Sequence, residues 1–140
     1  MHLADTEAEY RVLSGMLHSE PACADALLVL NEYDFTDEFN RKVLSLIGSL
    51  YAKSVKPTLA EIMKQGMETG LIAHAQDAQK ITDISGNYID DGNINYWAEL
   101  IKTKAKVRKM ESMLKKYTSM VQVMKDAEAE KVLLDASIVS

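Results

Sequence analysis

The sequence predicts an all-α protein: a small globular helical bundle followed by a long helix or helical hairpin. Helix-capping residues recur ahead of apolar runs, and apolar side chains return at three- and four-residue steps. Nothing along the chain alternates apolar and polar residues persistently enough to build a sheet. With 140 residues, 47% of them hydrophobic and 26% charged, the chain suffices for one domain with a real core. Residues 1–92 read as the globular bundle and 93–140 as the long helix with the start of a hairpin.

The elements follow in order. Thr6 with Glu9 fits a capping box, in which a hydroxyl accepts a free backbone N–H and the carboxylate three residues on reaches back. It predicts a helix from about Glu7 to His18, with Tyr10, Leu13, Met16 and Leu17 on one face. Ser19 and Pro21 restart the chain, since proline suits a first helical turn, and CADALLVL continues to about Leu30. The loop NEYDFT leads to Thr36 as an N-cap. After it Phe39, Val43, Leu46, Ile47 and Leu50 mark an amphipathic helix to about Ala52. A second capping box, Thr58 with Glu61, opens a helix carrying Leu59, Ile62, Met63 and Met67, and Gly70 closes it. A less regular helix spans Leu71 to Ser85, after which Gly86 and DDGN break the chain.

From Asn93 a helix is expected to run to about Lys125 with a heptad register. Tyr96, Thr103, Met110, Tyr117 and Met124 lie seven apart, and Leu100, Val107, Leu114 and Val121 interleave with them. About 30 residues at 1.5 Å each make a helix of roughly 45 Å, longer than a compact core of this size requires. The tail EAEKVLLDASIV is expected to fold back as a second arm. The seam is buried somewhere, either within one chain or between chains.

The net charge of −5 is unevenly spread. Residues 94–125 hold eight Lys or Arg against Glu99 and Glu111, or +6, which leaves −11 on the remainder. Within this basic stretch the run KTKAKVRKM places charges all around the helix and not along one stripe. Three readings stand: a solvated helix face, pairing with an acidic surface, and a grip on nucleic acid. Water or a neighbouring acidic body fits the scattered lysines better than DNA does. Tyr96 and Trp97 read as packing at the base of the helix rather than as a base-stacking platform.

Several chemistries lack their residues. The six glycines are scattered, and none begins a phosphate-binding loop, so no ATP hydrolysis is expected of this chain. His2, His18 and His74 are far apart, no metal spacing is present, and no cofactor is expected. The single Cys23 reads as a buried thiol, consistent with a reducing cytoplasm. There is no signal segment and no membrane span.

The order of these pieces resembles a known family. The opening EAEYRVLSGML is similar to the start of the N-terminal domain of the DnaB-type replicative DNA helicases, at Glu7, Ala8, Glu9, Val12, Leu13 and Gly15. Asp34 and Phe35, then VKPTLAEI, follow as further landmarks. NINYWAELIKTKAKVRKM then resembles a later family segment at Asn93, Ile94, Ala98, Ile101, Lys104, Ala105 and Arg108. The resemblance covers about residues 6–125. It implies a globular helical bundle with a long hairpin that pairs between subunits, the pairs assembling as a trimer of dimers into the collar of a hexameric ring where primase or a loader docks. The implied partners are therefore a second copy, a primase or helicase loader, and the ATPase domain of the parent helicase, with no direct nucleic-acid binding. AQDAQKITDI departs from the family's fifth-helix pattern, the second arm is short, and the ATPase domain is absent. Either a domain of a longer helicase or a small free-standing relative that docks onto a helicase satisfies the sequence. On this reading the self-association seam is Leu100, Val107, Met110, Leu114, Tyr117 and Val121, with Lys104, Arg108 and Lys115 on its rim.

Overall fold

The computed structural model describes residues 5–86 and 93–139. Among the described residues six α-helices follow one another: α1 Asp5–His18, α2 Glu20–Val29, α3 Glu38–Ala52, α4 Leu59–Thr69, α5 Ala75–Gly86 and α6 Ile94–Val139. A single 3-10 turn, Glu32–Asp34, separates α2 from α3, and no strand occurs among the described residues. The fold is the all-α one expected. The chain divides into two compact units, Met1–Ala105 and Lys106–Ser140, and α6 contributes to both.

The first unit is a bundle around α1. Val12, Leu13 and Met16 are buried on α1, with Leu17 beside them, and they share one core with Val43, Ile47 and Leu50 of α3, Ile62 of α4 and Ile81 and Ile84 of α5. The three- and four-residue spacing of these side chains therefore reports the core face of each helix. Phe35 and Cys23 are fully buried in the same core. Gly15 makes room for a neighbour: a Cβ at this position would collide with the tip of the Ile94 side chain, which packs there in its absence.

Caps explain most helix ends, and two differ from expectation. Ser19 accepts the Ala22 N–H at 3.3 Å to start α2, and Thr58 accepts the Glu61 N–H at 3.3 Å to start α4. Gly70 ends α4 with φ +85°, the left-handed conformation that glycine adopts without strain. The first expected capping box does not form. Thr6 lies inside α1, and Glu9, 1% exposed, turns inward to a different set of donors. Its carboxylate accepts the Thr36 N–H at 2.8 Å, the Thr36 hydroxyl at 2.7 Å, the Asp37 N–H at 3.4 Å and the Asn40 side-chain amide at 3.1 Å. Thr36, whose hydroxyl donates to Glu9, is not the cap of α3. Asp37 is, accepting the Asn40 N–H at 2.9 Å.

α5 begins four residues later than the apolar pattern suggested. Asp77 accepts the N–H groups of Ala73 and His74, both at 3.1 Å, and so fixes the preceding residues in a turn. Those two bonds also hold the Asp77 carboxyl below its ordinary pKa. α6 is the larger correction: it does not end near Lys125 but runs unbroken to Val139, so the tail extends the first arm and does not return as a second. No glycine or proline occurs between Asn93 and Ser140, and Ala, Glu, Lys and Leu dominate the stretch in question. The expected DDGN turn lies outside the described residues except for Asn93, whose carbonyl accepts the Trp97 N–H at 3.0 Å.

The Glu9 network generates a stability prediction. Glu9→Gln keeps the shape but turns an amide toward donors, leaving at least one buried N–H unpaired. It should lower unfolding free energy by about 2 kcal/mol, read as a lower urea midpoint at unchanged slope.

Candidate functional site

The first turns of α6 are built to be held. Ile94, Ala98 and Ile101 recur at four- and three-residue steps and are buried in the core of the first unit. Trp97 packs partly against that core with the Arg11 guanidinium 5.4 Å from its ring centre, and Tyr96 meets Trp97 edge-on at 4.9 Å. Trp97 thus packs as expected, whereas Tyr96 is 61% exposed and does not reach the core.

Two lysines of the basic run are engaged here. Lys102 Nζ lies 3.0 Å from Asp34 Oδ2, with the Asp34 side chain 9% exposed, and Lys104 Nζ lies 2.9 Å from Asp5 Oδ1. Asp34 also accepts the Asn31 N–H at 2.9 Å, so its second donor comes from its own turn. The acidic partner that the sequence suggested for these lysines is, for Lys102 and Lys104, the protein's own bundle. The proposed rim residue Lys104 is thus already paired, and the proposed seam residue Leu100 is half-buried within the first unit.

The second unit differs. Val107 is 47% exposed, Met110 63%, Leu114 65%, Tyr117 53% and Val121 50%, so these seam residues are brought onto one helix face and left open to solvent. Met113, Met120 and Met124, each exposed, lie on the same face. At 100° per residue the whole set fills an arc of about 140° over five turns, and every position from 107 to 124 within that arc is apolar. Lys115 stands exposed outside it, and Arg108 lies on the side opposite the arc. Strict heptad counting named Met110, Tyr117 and Met124 but passed over Met113 and Met120. Their signal was present as steps of three and four from Tyr117, visible once the stripe is allowed the width of a packed helix face. A further apolar turn, Val132 to Leu134, is exposed nearer the C-terminus.

Other candidate chemistry is sparse. No group of three His, Cys, Asp or Glu among the described residues is arranged to hold a metal ion. Cys23 is fully buried, and desolvation, with Glu20 nearby, pushes its thiol up to about 11, so it stays protonated and unreactive near neutrality. His18 joins the ends of α1 and α5, its Nε2 lying 2.8 Å from the Ser85 carbonyl oxygen. The cleft beside it, lined by Glu20, Lys56 and Thr58 among others, is crossed by an exposed Lys56–Glu20 pair at 3.9 Å. No helix among the described residues is long and apolar enough to cross a membrane.

Together these features define an all-α domain whose most conspicuous exposed element is an apolar helix face. Residues 1–103 match the family described as the DnaB-like helicase N-terminal domain, and the chain belongs to that family. Its fold is similar to the crystal structure of the N-terminal domain of DnaB helicase from Mycobacterium tuberculosis, with a TM-score of 0.70 and 27% identity, covering 75% of this chain and 76% of that one. No curated protein sequence matches the chain. The family match ends at Thr103, just before the exposed face begins.

The two kinds of lysine separate experimentally. Lys102→Met leaves the Asp34 carboxylate largely buried without its cation and should cost about 1 to 2 kcal/mol. The same change at exposed Lys109 should stay within about 0.5 kcal/mol. Urea denaturation of both variants checks the difference.

Proposed function

We propose that this chain is a non-catalytic assembly module of a DnaB-like replicative helicase, associating with copies of itself through the exposed face of α6. The single observation that carries this reading is that face, open over five turns in a member of this helicase-domain family. Leaving so many large apolar side chains in water is costly. Full burial of each is worth about 1.5 to 3 kcal/mol, so even partial burial in a pair of helices adds up to an amount that can offset an association cost of about 4 to 15 kcal/mol.

In this reading Val107, Met110, Leu114, Tyr117 and Val121 form the contact, joined by Met113 and Met120, with Leu100 where the seam meets the bundle. Lys104 stands at the start of the seam, whereas Arg108 and Lys115, expected on its rim, face away from it and are left out of the contact. Residues 1–92 serve as the globular head and residues 93–140 as the assembly arm. Dimers built on the arm combine three at a time into the collar of a hexameric ring in the cytoplasm, next to the ATPase domain of the parent helicase, and the collar offers a platform to a primase or a loader. Direct nucleic-acid binding is not part of the proposal, since Lys102 and Lys104 are already paired with carboxylates.

Leu114→Asp tests the contact. It would place an unpaired carboxylate in the seam and should weaken self-association by more than about 100-fold. Light scattering across a concentration series should show the parent chain as a dimer or larger and the variant as a monomer of unchanged helicity. An unchanged assembly mass for a helical variant would show that the seam lies elsewhere.

A further inference from the structure

Methionine is concentrated on the exposed face of α6. Of the chain's eight methionines, Met110, Met113, Met120 and Met124 lie there, 43 to 67% exposed, whereas the bundle core fully buries only Met16 among the described residues. At 100° per residue Met113, Met120 and Met124 share a sector about 40° wide on one flank of the face, and Val107, Leu114 and Val121 form the other flank. Helix formation does not call for this choice, since leucine and methionine have nearly equal helix propensity. What the thioether adds is a chemistry: alone among the side chains of this face, it takes up an oxygen atom from a peroxide and becomes polar.

We propose that this methionine flank is an oxidation site through which peroxide controls the contact: sulfoxides at Met113, Met120 and Met124, with Met110 beside them, hold α6 in its separated, solvent-exposed state. The inference rests on the self-association reading above and adds a regulatory chemistry to it. In the reaction a sulfur lone pair attacks one peroxide oxygen, the O–O bond breaks and an S–O bond forms. The departing hydroxide removes the proton from the new S–O group and leaves as water, so that sulfur loses two electrons and the peroxide gains them.

The sulfoxide oxygen is a strong hydrogen-bond acceptor. In the separated chain water satisfies it. In a closed contact it would lie among aliphatic side chains such as Leu114 and Val121, and an unpaired buried acceptor is unfavourable, so each sulfoxide shifts the balance toward separation. Protection runs the other way as well: closing the contact shields the sulfurs, so separated chains react at the full rate and a formed assembly resists. Met67, 63% exposed on α4 and outside this face, reacts without either consequence, and Met16, 2% exposed, hardly reacts.

Hydrogen peroxide applied to the full-length chain tests this, with sulfoxide at each methionine read by peptide mass spectrometry and the dissociation constant of self-association by light scattering. In dilute solution the α6 methionines should oxidise about as fast as Met67, and at high concentration several-fold more slowly while Met67 is unchanged. Full oxidation should raise the dissociation constant more than about 10-fold with helicity retained, and the methionine sulfoxide reductases, one for each sulfoxide epimer, should restore it. Met67→Leu should leave both the starting assembly and its loss on oxidation unchanged. The combined Met110→Leu, Met113→Leu, Met120→Leu and Met124→Leu variant, judged only as the ratio before and after peroxide, should shift less than about 2-fold. An assembly that survives full oxidation of these methionines overturns this inference and leaves self-association intact. A parent chain that stays monomeric at every concentration before peroxide is added overturns both.

Discussion

A carboxylate taken out of water persists only where donors replace the water, and at Glu9 four of them do, all from residues 36 to 40. That one side chain ties α1 to the segment leading into α3. The same connection, from Asn31 to Asp37, supplies Asp34 to Lys102 and so reaches the start of α6. Three helices are therefore referenced to one short loop. Apolar packing alone would leave their relative rotation free to adjust, whereas charge-assisted hydrogen bonds at 2.7 to 3.1 Å do not slide. Gly15 acts by steric means, leaving space on α1 for the Ile94 side chain.

The sequence carried the fold class and every helix, because periodicity and local caps are short-range properties. Ser19, Thr58 and Gly70 do what their neighbours along the chain predict. The misreadings share a cause. Thr6 and Glu9 have the spacing of a capping box, yet Glu9 bonds to groups 27 to 31 residues away, and no local rule distinguishes those two fates. Thr36 likewise serves Glu9, through both its N–H and its hydroxyl, and the cap of α3 is the next residue, Asp37. Lys102 presents the same difficulty. It belongs to a run that looks solvated, and only the fold brings Asp34 beside it, 68 residues away.

The exposed face of α6 was legible in part. Val107, Leu114 and Val121 declared themselves by the heptad, while Met113 and Met120 required a wider stripe than two positions in seven. The continuation past Lys125 was misjudged because EAEKVLLDASIV is amphipathic enough to serve as a returning arm. It contains no residue that turns a helix, and backbone propensity decided the outcome. The result is a domain in two regimes. Residues up to Ala105 hold the buried core, with scattered side chains such as Leu28 and Met67 left exposed, whereas the apolar face beyond Lys106 stays open to solvent as a continuous stripe. Family membership rests on the first regime, and the proposed assembly function on the second.

The most direct test is amide hydrogen exchange along α6, measured at low and high protein concentration. If the exposed face is satisfied by another copy, amides of residues 107–134 should be weakly protected in dilute solution and gain protection as concentration rises, while the bundle amides of α1 and α3 stay constant. Strong protection of residues 107–134 at every dilution would contradict the account, since it would mean that the helix has its partner surface within a single chain.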